Sequence, residues 1–291
     1  MTKTNDYKSI ESKFKKIQKN IFNNFINIDK KSKNKKINWK YKTGGGGTSI
    51  GIYNGKIIEK AAVNFSSISG KIIPSSALSK KLGQHKQFRA TGVSVVVHSQ
   101  NPFVPCSHLN VRHFELSKNK WWFGGGYDLT PYFPYADDIK LWHSNTRKMC
   151  DKHDKKYYKN FKKQCDKYFY LKHRKEKRGV GGIFFDNLNT KSKNHYMFFL
   201  EDVVSSFLES YIKIINKRSS NKYNKSHKEF QLYRRGRYVE FNLIYDRGTL
   251  FGLQSDGRAD SILMSMPPQA EWSTIKSKTL MNYEKKLLKF L

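Results

Sequence analysis

The stretch GVSVVVHSQNPFVPCSHLNVRHFEL, from Gly92 to Leu116, restricts the possible folds more than any other part of the chain. Its two ends alternate in polarity around a break marked by Asn-Pro and Val-Pro. Strand side chains point to opposite faces with a period of two. Ser94, Val96 and His98 therefore share one face, and so do His108, Asn110 and Arg112. Val95, Val97, Leu109 and Val111 fall on the opposite faces and suit a core. The expectation is a pair of neighbouring strands with one apolar face and one crowded with groups that bind anions or move protons.

The rest of the chain is read around that pair. Ile10, Phe14, Ile17, Ile21, Phe22 and Phe25 recur at helical spacing over 8–28, with Lys opposite. The basic run 30–38 reads as a linker. Asn54-Gly55 separates two strand-like runs as a hairpin turn. Residues 118–133, KNKWWFGGGYDLTPYF, read as a turn, a strand, a glycine run and the start of a helix. Residues 136–174 read as helix, 178–188 as a strand opening on glycines, and 195–218 as a strongly periodic helix. RRGRYVEFNLIYDRGTLFGLQ, 234–254, reads as strand, Asp-Arg-Gly turn and strand. SILMSMPP, 261–268, closes the ordered body before a Lys-rich helix. Strands in hairpins with helices bunched before and after them predict α+β with a largely antiparallel sheet rather than a doubly wound one. At 291 residues the chain could be one large domain or two.

Charge alone points elsewhere. The formal net charge is +33, which fits a nucleic-acid binder or an anionic small molecule. The basic residues are 45 Lys and 11 Arg, and the Lys lie in Asn- and Ile-rich tracts such as KRSSNKYNKSHK, 217–228. That bias reads as drift in solvated Lys. The scarcer Arg lie mostly in ordered-looking segments and are the better bidentate partners for carboxylates. No apolar run reaches membrane-span length, and the first twenty residues have no signal-type apolar stretch. Cys106, Cys150 and Cys165 show no CxxC spacing, which suits a reducing cytoplasm.

Each motif has a plain reading beside its functional one. GGGG, 44–47, and GGG, 124–126, lack the spacing of a nucleotide loop and read as bends where something bulky nears the backbone. His98, His108, His143 and His173 form no HExxH or HxH pair, so spacing identifies no metal site. Asp128, after three glycines and before LTP, is either a helix N-cap or a carboxylate beside a bound substrate. DGRADS, 256–261, is either a surface turn or an arginine-bearing acid contact. Together these signals describe a His- and Arg-rich face for a large, flat polyanion, with no covalent-cofactor lysine, flavin fingerprint or cysteine cluster.

GVSVVVHSQNPFVPCSHLNVRHFEL, WWFGGGYDLTPYF, YFYLKHRKEKRGVGGIFFD, RRGRYVEFNLIYDRGTLFGLQ and SILMSMPP, in this order from about Trp39 to Pro268, closely resemble the oxygen-dependent coproporphyrinogen III oxidases. The resemblance implies oxidative decarboxylation of two propionates of coproporphyrinogen III to vinyls, giving protoporphyrinogen IX, carbon dioxide and hydrogen peroxide. It implies dioxygen as co-substrate, no organic cofactor and a divalent metal whose requirement is doubtful. It also implies a single domain (1–291) with an ordered core at about 39–268 and Lys-rich extensions, a large mainly antiparallel sheet flanked by helices on both sides, and a homodimer joined through a C-terminal strand region at about 238–273.

By the same resemblance, His108 is the proton donor and Arg112 and Asp128 complete the catalytic set, with Asp128 engaging the pyrrole N–H groups. Ser94, Asn110, Val111, Arg112, Asp256, Gly257 and Arg258 match substrate contacts. His98, His108, His143 and His173 match histidines proposed as metal ligands. Ala62 stands where a glycine is common, Cys106-Ser107 replaces the usual pair before His108, and Asp256 and Ala259-Asp260 alter a stretch that often reads GGR. The competing readings are a non-catalytic tetrapyrrole carrier, a basic nucleic-acid-binding protein and a histidine-metal hydrolase.

Overall fold

The computed structural model describes residues 2–71, 87–116, 120–254 and 257–291. Helix α1 (Thr2–Ile28) precedes six strands: β1 (Lys33–Lys40), β2 (Gly45–Tyr53), β3 (Ile58–Gly70), β4 (Phe88–Ser99), β5 (Cys106–Leu116) and β6 (Trp121–Thr130). Helices α2 (Ala136–Asp151) and α3 (Tyr157–Tyr168) lead to a small hairpin, β7 (Tyr170–Leu171) and β8 (Glu176–Lys177), and then to β9 (Gly181–Leu188). The chain continues through α4 (Lys193–Arg218), α5 (Lys225–Ile244), α6 (Arg247–Gln254), α7 (Ala259–Ile262), a 3-10 turn at Leu263–Ser265 and α8 (Lys278–Leu288).

One seven-stranded sheet in the order β1-β2-β3-β4-β5-β6-β9 organises these elements, and every neighbouring pair is antiparallel. The α+β expectation holds, with helices on both faces. Val93, Val95, Val97, Leu109, Val111, Phe123 and Leu129 face α1, α2 and α4 in the larger core. Ile10, Phe14, Ile17, Ile21 and Phe25, all nearly inaccessible, form the α1 stripe that covers them. Each such side chain contributes about 1.5–3 kcal/mol by leaving water. The other sheet face supplies Ala62, Val96 and Cys106 to a second cluster with Phe230, Tyr233 and Tyr238 of α5.

Four sequence expectations are corrected. The basic run 30–38 is no plain linker, because Lys33–Lys40 forms edge strand β1 with its Lys exposed. Lysines on an edge strand discourage pairing with other chains. The glycine run 124–126 lies inside β6, and the next helix starts only at Ala136. The 136–174 helix is two helices followed by the β7–β8 hairpin.

The segment 234–254 is helical, not a strand pair. Its alternating Arg and aromatic residues imitate a strand, but the Arg are buried beside carboxylates. Arg235 Nη2 is 2.5 Å from Glu59, and Arg234 Nη2 is 3.0 Å from Glu176. Asn224 and His227 form a capping box at the start of α5. Gly236 marks a close crossing rather than a turn, since a Cβ there would sit 2.8 Å from the Glu271 carbonyl oxygen.

Candidate active site

The register turns the second sheet face into ordered rows. Val96 pairs with His108, Ser94 with Asn110, Gly92 with Arg112 and Ala90 with Phe114. Across β5 and β6, His108 pairs with Asp128, Asn110 with Gly126, Arg112 with Gly124 and Phe114 with Trp122. Paired residues share a face, and each two-residue step advances about 7 Å. A histidine row, a row of Ser94 and Asn110, an arginine row and an aromatic row thus follow one another. A cavity of about 320 Å³ opens over this face. His108, Asn110, Arg112 and Ser94 line it, the backbone of glycines 92, 125 and 126 borders it, and Arg247 and Arg258 reach it from α6 and the start of α7.

His108 is held by what lies behind it. Its Nδ1 is 3.2 Å from Asp128 Oδ1. Both Asp128 oxygens also accept from Arg178 Nη2, at 2.7 and 2.8 Å. Arg178 is buried against the rings of Phe169, Tyr238 and Phe241, and its Nη1 donates to Asn242 Oδ1 at 3.2 Å. Burial pushes the Asp128 pKa up, but the Arg178 charge and the His108 hydrogen bond outweigh it and leave the group below its ordinary value. An ionised Asp128 fixes the proton of His108 on Nδ1 and leaves Nε2 for the cavity.

This arrangement changes the role expected of Asp128. It is a mid-strand residue rather than an N-cap, its carboxylate is almost wholly buried, and it does not line the cavity. Direct contact with pyrrole N–H groups does not fit that position. Val111 is corrected too: its side chain is in the apolar core on the opposite face. Ser94, Asn110, Arg112, Gly257 and Arg258 all line the cavity. Arg258 also lies 3.4 Å from Asp260. Asp256 lies outside the described residues.

The four histidines proposed as metal ligands do not converge. His98 Nε2 is 2.9 Å from the Ser265 carbonyl oxygen, and His143 Nε2 is 3.2 Å from that of Val180. His173 bridges Tyr245 and Glu240, each about 2.9 Å or less away. Burial, with Arg235 next in effect, lowers the His98 pKa to about 3. A cation beside it would meet a guanidinium rather than a carboxylate. Among the described residues no three His, Cys, Asp or Glu side chains form a metal-binding group. The donor set does not fit a divalent ion held by these four.

Sequence reasoning missed Arg178, Asp186 and Arg247. Asp186 shares its strand alternation with Phe184 in GIFFD, which was the available signal. Arg247 was hidden by its assignment to a turn. Asp186 Oδ2 is 3.1 Å from Arg112 Nη2 and 3.2 Å from Arg247 Nη2. Gly124 makes room for this meeting, because a Cβ there would be 2.6 Å from Asp186 Oδ1 and 3.0 Å from Arg112 Nη2.

A family model described as coproporphyrinogen III oxidase matches residues 9–291. A relative from Francisella philomiragia, named oxygen-dependent coproporphyrinogen-III oxidase, is 55% identical over 233 residues, covering 78% of this chain and 76% of the relative. Relatives of the same name from Francisella tularensis are 51% identical over 252 residues in subspecies holarctica, covering 85% of this chain and 82% of the relative, and 54% over 233 residues in subspecies novicida, covering 78% and 76%. The histidine and arginine rows thus stand in a chain matched along nearly its whole length, and the chain belongs to the coproporphyrinogen III oxidase family.

Proposed function

We propose that this chain converts coproporphyrinogen III to protoporphyrinogen IX with dioxygen as co-substrate. For each of two propionates, a β C–H bond and the bond to the carboxyl carbon break, and a vinyl double bond forms. The electron pair and two protons reduce dioxygen to hydrogen peroxide as carbon dioxide leaves. The substrate supplies every electron, so the redox balance needs no further donor.

The observation that carries this reading is the row order on one sheet face. His108 stands at one end, Ser94 and Asn110 follow beside the bare backbone of Gly126, and Arg112 stands beyond them, where Arg247 meets it from α6. Arg112, Arg247 and Arg258 bind propionate carboxylates as charge-assisted donors. Ser94 and Asn110 contact the ring between them. His108 moves a proton through Nε2. Asp128 and Arg178 act through His108 as positioning residues, by fixing its tautomer and ring orientation. The whole chain acts as one domain in the cytoplasm and pairs as a homodimer through 238–273, here the end of α5 through the segment after the 3-10 turn. In that stretch Leu243, Ile244, Leu253 and Leu263 are exposed, which supports a contact there.

Incubation of coproporphyrinogen III with the purified chain, in nitrogen and in air and with or without chelator, tests the reading. Separation of the products as porphyrins is expected to show a dicarboxylate only where dioxygen is present. A folded chain that binds coproporphyrin and converts nothing in air is a carrier instead.

A further inference from the structure

The Arg112 and Arg247 guanidiniums share one carboxylate of the protein itself, in the cavity where the proposed substrate brings carboxylates of its own. Asp186 projects from β9 toward Arg112 on β5, across Gly124 of β6. Arg247 reaches the same oxygen from α6, at 3.2 Å. All three residues line the cavity, and their side chains retain 18–48% exposure, so water reaches the group. The group is part-buried, and the water it retains weakens its ion pairs relative to fully buried ones.

Each guanidinium is also held in place without Asp186. Arg112 Nη1 donates to Asn110 Oδ1 at 3.1 Å. Arg247 lies over the rings of Tyr168 and Phe184, which stack at 4.2 Å with an 11° tilt. Its backbone N–H donates to Tyr168 Oη at 3.0 Å, and Tyr168 donates to Asp246 at 2.8 Å. Removing the Asp186 carboxylate therefore leaves two positioned donors facing the cavity.

We propose that Asp186 is a resident counter-ion that a substrate carboxylate displaces from the Arg112–Arg247 pair. The inference rests on the functional reading above and adds a residue that sets affinity. A carboxylate ligand must compete with Asp186, which weakens its binding. When a carboxylate leaves the pair, Asp186 takes it back. The competition lets a site with several guanidiniums release an acidic tetrapyrrole.

Fluorescence titration of the full chain with coproporphyrin III and with its tetramethyl ester tests this. Asp186→Asn keeps the shape and removes the charge. It is expected to bind coproporphyrin III about fivefold more tightly, the size of one surface charge interaction, and to bind the ester as the wild type does. Asp186→Ser is to be titrated in parallel, so that one badly folded variant does not decide the matter. Unchanged or weaker binding of the acid, or an equal shift for acid and ester, overturns the proposal. The titration needs no turnover, so a wild type inactive toward coproporphyrinogen III would sink the functional reading and leave this comparison standing.

Discussion

A single buried carboxylate holds the His108 ring through its Nδ1. Asp128 is almost inaccessible, and so is the Arg178 side chain that grips both its oxygens. Such a pair contributes little net stability while intact, but removing one charge strands the other in a dry site. Asp128→Asn is expected to cost about 3–5 kcal/mol in urea unfolding at neutral pH. It also loses the acceptor that fixes His108, so turnover of coproporphyrinogen III is expected to fall by about 100-fold or more. Affinity for coproporphyrin should stay within a factor of about two, because Asp128 does not line the cavity. Normal turnover with the variant would remove Asp128 and Arg178 from the proton path.

At the scale of elements, helix α5 ties the catalytic face to the rest of the sheet. Arg235, wholly buried, joins Glu59 on β3 and also donates to the Ser99 carbonyl oxygen of β4 at 3.1 Å. Glu59→Gln leaves that guanidinium without its counter-charge and is expected to cost about 3 kcal/mol in chemical denaturation. A loss below about 0.5 kcal/mol would mean that the pair is as wet as a surface ion pair.

The same helix shows where sequence reading reaches its limit. The β4–β5 pairing was legible because a strict period of two set Val95, Val97, Leu109 and Val111 against Ser94, Asn110 and Arg112. The observed register repeats that division residue by residue. In α5 the buried Arg broke the usual link between polarity and exposure, so RRGRYVEF looked like an alternating strand. Arg237 and Glu240 pair locally at i,i+3, a helical spacing the strand reading overlooked, but the carboxylates of Arg234 and Arg235 lie on β3, β8 and α8, distant in sequence, where no local pattern announces them. His108, Ser94, Asn110 and Arg112 were readable as a shared face. Arg178 was not, since it acts through Asp128 from a loop 50 residues away, and the alternation in GIFFD puts Asp186 on a face without showing that it meets Arg112 across a glycine.

For the molecule as a whole, buried neutral imidazoles link stability to pH. Burial first, with nearby Arg235, lowers the His98 pKa to about 3, and burial with Lys193 lowers that of His113 to about 3. Burial lowers His143 to about 4. An unfolded histidine titrates near 6.5, so below that pH the unfolded chain binds protons that the folded chain refuses. Their contribution is full above about pH 6.5 and is lost progressively as pH falls toward 3–4. Denaturation at pH 7 and pH 5 is expected to show lower stability at pH 5. His113→Leu should lose less over that interval than the wild type. An equal loss in both would show that His113 is protonated in the folded chain.

The central claim is that the histidine end of one sheet face carries out a dioxygen-dependent decarboxylation of a bound tetrapyrrole. The most direct measurement follows dioxygen uptake, carbon dioxide release and the carboxylate count of the product, with coproporphyrinogen III supplied to the wild type and to His108→Ala. One dioxygen is expected to be consumed for each carbon dioxide released, with two of each per product molecule, in the wild type. In the folded variant the rate falls by about 100-fold or more while coproporphyrin still binds. Full-rate conversion by His108→Ala, or carbon dioxide release by the wild type under nitrogen, would contradict it.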